Sequence, residues 1–337
     1  MITLAPLLTI KSTLTLLLAP PGWGKTTGLI SILNENNLNL VFLSPLNAIN
    51  NEVYGRMGKL FKTFISSGDR KLQYKKFLSF DKSILISTPE SLNLNLLELL
   101  NTKKKPISFV LDELHLFYHW SHSFRPILFE KLIEISLSQN PILGLTATLD
   151  KKIEDEITSG FSNQYENIIK IDVGNQKLLN YPTSQFSFNL LGKKFLFKYL
   201  LKKSARLLPG ELILVFCAYR KQVEWWLDYS FYKGINAMGC VGGMTDQFLS
   251  QLSRNKDVSI IFSTTALSHG VNLPKLNSIW MLDKVENRDF YLQMVARGGR
   301  RGENFDLYSM DPKKEMNLFK QMIHSIKIVH KYLIGKL

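Results

Sequence analysis

The stretch TLLLAPPGWGKTT constrains the fold of this chain more than any other, because an apolar run, a glycine-bearing turn and a Lys-Thr pair follow one another without a break. Thr15 to Leu18 read as a buried strand, and Leu29 to Leu33 can continue as a helix. Between them, Pro21, Gly22, Trp23 and Gly24 form a turn whose amides can curl inward, towards an anion held at the helix N-terminus. Lys25 then reaches the β and γ phosphates of a nucleotide, Thr26 offers its hydroxyl to magnesium, and Thr27 completes the cradle. Ala19 stands where the general pattern has its first glycine. A strand, a phosphate turn and a helix in that order require an α/β fold.

The same cadence recurs. LVFL at 40–43, ILIS at 84–87, SFVL at 108–111 and ILGL at 142–145 are short apolar runs between longer helical or polar stretches, the pattern of a mostly parallel sheet flanked by helices. It restarts with LILVF at 212–216, VSIIF at 258–262 and SIWML at 278–282. A length of 337 residues exceeds one ordinary core, so two domains are expected, 1–178 and 179–337, divided where Gly174, Asn175, Pro182 and Ser184 interrupt the pattern.

A phosphate turn needs a carboxylate for the metal and a second group to orient water. SFVLDELH supplies Asp112 for the first and Glu113 for the second, at the end of a buried run. Forty-two Lys and Arg against 28 Asp and Glu leave a net charge of +14, which favours a polyanionic partner, nucleic acid first. Cys217 and Cys240 stand too far apart in sequence for a disulfide framework and fit a reducing cytoplasm. The apolar start has no basic n-region and no run of membrane-spanning length, so neither a secretion signal nor a membrane segment is expected. His115, His119 and His122 have a spacing that could meet a metal on one helical face, but no cysteine accompanies them and no such site is expected.

With APPGWGKTT and DELH together, the chain resembles the superfamily 2 helicases of the DExH type, and further stretches fall in that family's order. The resemblance implies two tandem RecA-like domains, ATP and Mg2+ as cofactors, and single-stranded DNA or RNA as partner. TPESL, Thr88 to Leu92, resembles a nucleic-acid-contacting turn, which implicates Thr88, Pro89 and Glu90; Pro45 of SPLNAIN is implicated likewise. LTATL resembles the coupling segment, with Thr146 and Thr148 acting beside His115. VFCAYRK at 215–221 is similar to the fourth motif and STTALSHGVNLP at 263–274 to the fifth, where Gly270 and Asn272 would line the nucleotide site and Thr264 would approach the strand. GVNLP is closest to the superkiller-type branch.

QMVARGGRRG, Gln293 to Gly302, read alone is equally a basic nucleic-acid-binding tail. In the family's sixth motif, however, Arg297 and Arg300 become the fingers on the γ phosphate, with Gln293 beside them. Two departures stand out. SPLNAIN has Leu46 and Asn47 where the family usually carries a cation, and no adenine-reading glutamine motif precedes Ala19. Few residues follow the sixth motif, so accessory domains are not expected, and a nucleotide-gated nucleic-acid clamp or scaffold without unwinding activity, or an ATPase acting on a protein complex, stays open beside a possible protein partner. Tyr118, Trp120, Trp225 and Trp226 are expected in cores rather than against bases. The tail is expected to pack as a helix through Leu318, Phe319, Met322, Ile323, Ile326 and Val329, and the lysines at 103–105 are expected in a solvated turn.

Overall fold

The computed structural model describes residues 4–65, 70–92, 107–122, 124–188, 193–255, 257–268, 271–310 and 318–334. Lys103 to Lys105 and Gly270 lie outside them. The chain divides into two compact units, Met1–Lys177 and Leu178–Leu337.

In the first unit, β1 (Thr13–Leu18) leads through the glycine turn into α1 (Lys25–Glu35). There follow β2 (Asn39–Leu43), α2 (Asn47–Met57), β3 (Lys62–Ile65), α3 (Arg70–Ser79), β4 (Ser83–Ser87) and a 3-10 turn at Pro89–Ser91. β5 (Ile107–Asp112), α4 (Leu114–Ser121), α5 (Ile127–Ser136), β6 (Ile142–Thr146), α6 (Lys151–Phe161) and β7 (Asn167–Asp172) complete it. The strands lie in the order β3-β4-β2-β5-β6-β1-β7, and every pairing is parallel. Helices cover both faces, so β1, β2, β4, β5 and β6 are buried at every position. Alternation sends Leu14, Leu16 and Leu18 into one apolar core and Leu17 and Ala19 into the other.

The second unit repeats the plan. β8 (Ser184–Ser187), α7 (Lys193–Ser204), β9 (Glu211–Phe216), α8 (Arg220–Tyr232), β10 (Ala237–Cys240), α9 (Thr245–Arg254) and β11 (Ile260–Ser263) come first. β12 (Lys275–Met281), α10 (Arg288–Val295), β13 (Asp306–Ser309) and α11 (Leu318–Ile334) follow. The strand order is β10-β11-β9-β12-β13-β8, again parallel throughout. Its two cysteines are free and buried. Among the described residues, no helix is long and apolar enough to cross a membrane.

Two expectations need correcting. Trp226 is buried as expected, but Trp225 is 56% exposed on the outer side of α8, stacked on Tyr229. The tail forms a helix, yet Met322 and Ile326 of the expected packing stripe are exposed, while Ser325 and Ile328 are buried. Polar anchors set this rotation: the Ser187 backbone N–H donates to His324 Nδ1 at 3.2 Å, and Lys202 Nζ donates to the Tyr332 carbonyl at 2.6 Å. Both bonds tie α11 to its own unit, with Ile323 and Val329 of the expected stripe half-buried and the side chains of Leu318 and Phe319 outside the described residues.

Candidate functional site

Three strands of the first sheet end side by side. Leu18 of β1 is in register with Thr146 of β6, and Asp112 of β5 with Leu145 of β6. The glycine turn, the acidic pair and the LTATL segment therefore leave one edge of the sheet together, the edge at which ligands bind in parallel α/β sheets. Ala19 N–H donates to the Thr146 carbonyl at 3.0 Å, which fixes the turn to that segment.

Gly22 and Gly24 have φ of +84° and +97°, a region open to glycine and costly for a side chain. Gly24 caps α1, so the first amides of that helix face the turn. Lys25 Nζ donates to the Ala19 and Pro20 carbonyls at 3.2 and 3.5 Å, folded over the turn that it would leave for a phosphate. Pro21 and Thr26 are half-buried, Trp23 and Thr27 are exposed, and Thr27 Oγ1 accepts from Arg56 at 3.1 Å.

Glu113 occupies the left-handed region at φ 52°, ψ 48°, one of the few non-glycine residues there. Such strain costs on the order of 1–3 kcal/mol and is held only where the surroundings impose it. It turns the chain between β5 and α4. The packing behind this turn is tight: a Cβ on Gly144 would come within 2.5 Å of the Leu114 side chain. One carboxylate oxygen of Glu113, Oε2, is buried without a hydrogen bond, 3.6 Å from His115 Nδ1. Burial, reinforced by the Glu113 charge and opposed by Lys25, raises the Asp112 carboxyl to about 7. A buried carboxylate whose charge is so poorly compensated fits a divalent cation. Thr26 and Asp112 are the residues that would hold it.

His115 is buried and bonded to Thr146, which in turn bonds the Thr148 carbonyl; the Thr148 hydroxyl is buried. His122 faces Glu156 instead, so His115 and His122 have separate partners, and no three-ligand metal cluster lies within either unit among the described residues. Tyr118 is a core residue and Trp120 packs on the same core.

Farther along the same edge, Leu43 of β2 and Ser87 of β4 are in register, so SPLNAIN and TPESL emerge together. The Glu90 carboxylate accepts from Arg125, with Nε at 2.9 Å, and Arg125 Nη1 donates to the Pro45 carbonyl at 2.8 Å. Glu90 is thus turned to Arg125, Pro45 and Pro89 are buried in the turn pair, and Thr88 is half-buried with its hydroxyl 3.0 Å from that of Ser91. Sequence reading missed Arg125. Its only signal was a cation just before Pro126, with no pattern tying it to residues 35 and 80 positions earlier.

In the second unit the Gln293–Gly302 stretch is a packed turn, not a loose tail. It begins in the last turn of α10, and Gln293 and Arg297 are both 3% exposed. Arg297 Nη1 donates to the Val271 carbonyl at 2.6 Å, and Arg300 Nη1 reaches the same oxygen at 3.4 Å. Arg301 reaches the side-chain oxygen of Asn272 at 3.4 Å. The sixth-motif arginines are therefore joined to the fifth-motif loop through Val271, a backbone contact with no side-chain signature. A Cβ on Gly298 would lie within 2.6 Å of the Phe305 ring, so any side chain there forces the turn or the ring to shift. Thr264 follows β11, its hydroxyl turned to the Ala266 amide at 3.5 Å.

Residues 3–156 match the family described as DEAD/DEAH box helicase, and residues 194–302 match the helicase conserved C-terminal domain. An ATP-dependent DNA helicase RecQ from Haemophilus influenzae is 24% identical over 236 residues, which span 67% of this chain and 36% of that protein. A DEAD-box ATP-dependent RNA helicase 35B from Oryza sativa is 25% identical over 171 residues, 49% of this chain and 26% of that one. The chain thus spans well under half the length of these relatives. Among solved structures, Dbp5 of S. cerevisiae bound to RNA and ADP BeF3 superposes with a TM-score of 0.65 at 15% identity, covering 98% of this chain and 85% of that one. Mycobacterium smegmatis helicase Lhr bound to ssDNA and AMP-PNP gives 0.63 at 19%, covering 95% and 46%. These likenesses establish the fold as tandem RecA-like units. With both family matches in order along one chain, the protein carries the N- and C-terminal domains of a superfamily 2 DEAD/DEAH-type helicase.

Proposed function

We propose that the protein is a nucleic-acid-dependent ATPase that moves along or remodels single-stranded DNA or RNA. One observation carries it: the glycine turn, the Asp112–Glu113 pair and the His115–Thr146 bond sit together at one sheet edge, beside the paired Pro45 and Thr88 turns. The net charge of +14 and the RNA and ssDNA bound in the similar solved structures support the partner.

Pro21 to Thr27 cradle the triphosphate, and Lys25 leaves its carbonyl partners for the β and γ oxygens. Magnesium, held by Thr26 and Asp112, would neutralise developing charge on the phosphates. Glu113, held in a strained backbone with one oxygen not hydrogen-bonded, orients the attacking water and takes its proton. Arg297 and Arg300 supply transition-state charge from the second unit, exchanging the Val271 carbonyl for phosphate oxygens, with Gln293, Asn272 and Gly270 beside the nucleotide. Pro45, Thr88, Pro89 and Thr264 face the strand backbone, while Glu90 acts through Arg125. The division at Lys177 and Leu178 separates the two working halves. GVNLP points to the superkiller-type branch.

The test is the ATPase rate alone, with single-stranded DNA and with single-stranded RNA. Stimulation by at least one polymer is expected, with Glu113→Gln slower by about 10²–10⁴-fold. A wild-type rate indifferent to both polymers would overturn the reading and favour action on a protein complex. Stimulated hydrolysis with no displacement of a bound strand would favour a nucleotide-gated clamp.

A further inference from the structure

The second unit holds a cavity of about 270 Å³ at the edge where its strands begin, opposite the edge from which Thr264 leaves β11. Tyr199, Lys202, Lys203, Arg206, Asn277 and Lys331 line it. Four cationic side chains thus meet in one small space. The facing carboxylate is Asp306, which already takes Lys203 at 3.0 Å and Lys331 at 3.4 Å, and accepts from the Tyr308 hydroxyl at 3.4 Å. The nearby Glu211 is committed to Lys275 at 2.9 Å and to the Asn277 amide at 3.1 Å. Among the described residues Lys203 and Lys331 thus share one carboxylate, while Arg206 is exposed beside them.

These cations are held in place rather than left to wave in solvent. Lys202 lies over the Tyr332 ring at 4.7 Å, Lys203 over Tyr308 at 5.4 Å and Lys331 over Phe186 at 4.6 Å. Such contacts restrain the ammonium groups without neutralising them. Burial pushes the Lys203 amine below its ordinary value, the expected cost of gathering like charges in a half-enclosed space. A cavity lined by four cations suits an anion with several negative charges in a small volume, and phosphate groups answer that description best.

We propose that this cavity binds phosphate groups, either of a compact polyphosphate or of a nucleic-acid backbone, through Lys202, Lys203, Arg206 and Lys331. It uses none of the residues assigned to hydrolysis.

The experiment is calorimetry on the full chain saturated with AMP-PNP and magnesium, so that the glycine turn is filled. The probes are inorganic tripolyphosphate and a single-stranded oligonucleotide, each titrated into wild type and into the Lys202→Gln/Arg206→Gln double variant. Arg206 is exposed and Lys202 half-buried, so the variant should fold, and an unchanged melting temperature and basal ATPase rate check this. If the ligand is a free polyphosphate, tripolyphosphate binds and its affinity drops about tenfold or more in the variant. If a strand backbone occupies the cavity, oligonucleotide affinity drops instead, and its salt slope becomes shallower by roughly 0.7 per lost contact. Equal affinities of the two proteins for both probes, or no binding of either probe, overturn the proposal.

Discussion

Nδ1 of His115 lies 2.8 Å from Oγ1 of Thr146, and the same threonine hydroxyl is 2.8 Å from the Thr148 carbonyl. A hydroxyl has one hydrogen, and the carbonyl can only accept, so Thr146 donates to Thr148 and His115 donates to Thr146 through a protonated Nδ1. The acidic pair and the LTATL segment are thereby joined by a directional chain. Thr146→Val keeps the shape and deprives the His115 N–H of its acceptor, at a cost of about 1–3 kcal/mol. The expected outcome is near-normal nucleotide binding with lost stimulation by nucleic acid. Paired binding and ATPase titrations check it, and full stimulation in the variant would exclude coupling through this bond.

Gly298→Ala tests whether the sixth motif works by rigidity. The added methyl meets the Phe305 ring, so the turn must shift, with a stability loss of about 1–3 kcal/mol. Both arginines and the net charge are unchanged. Thermal unfolding and ATPase assays should show a rate loss well beyond the loss in folded fraction, with strand binding much less affected. A basic tail that only grips a strand would keep its hydrolysis rate.

Asp112 sets a pH dependence whose sign follows from its raised carboxyl. Without magnesium, the folded chain holds this proton up to about 7, whereas the unfolded chain releases it near 3.8. The folded state therefore binds more protons across that window, and stability falls as pH rises through it. Magnesium competes with the proton, so its stabilising effect should be small at pH 6 and larger at pH 8. Asp112→Asn should flatten both trends. Melting temperatures over pH 4–8, with and without magnesium, measure them, and equal magnesium effects at pH 6 and 8 would contradict this account.

Arg125 ties Glu90 to the Pro45 carbonyl and so sets the spacing of the two turns proposed to meet the strand. Arg125→Ala should weaken single-strand binding about tenfold, leave the basal ATPase rate within about twofold, and cost about 1–2 kcal/mol in stability. Glu90→Gln should do the same more mildly, since an amide oxygen still accepts. Anisotropy with a labelled oligonucleotide reads the effect, and undiminished binding in Arg125→Ala would rule out this bracing role.

The buried strands were legible in the sequence because parallel strands covered on both faces read as continuous apolar runs, as Leu40 to Leu43 and Ile84 to Ser87 do. Strands with weaker signals escaped notice. β3 and β7 are edge strands whose residues are half-buried or exposed, and β13 begins on Asp306, the carboxylate bonded to Lys203 and Lys331. Lys25, Asp112 and Glu113 were legible because a phosphate turn and a strand-end acidic pair are local patterns. Arg125 and Val271 were not: one acts through a partner 35 residues away, the other through a carbonyl that every residue has. The exposure of Met322 and Ile326 on α11 was not legible because hydrophobic spacing says nothing of an edge N–H that takes His324 as its acceptor.

The register of β5, β6 and β1 acts as a ruler. Leu18, Thr146 and Asp112 are located by ladder hydrogen bonds rather than by the lengths of the connections between them. Inserting residues into a connection at the far edge leaves those marks where they are, whereas a one-residue slip of β6 would flip its side chains to the opposite face and part Thr146 from His115. Evolution can therefore lengthen the far-edge crossovers freely, but it can change the strand ends only by keeping count.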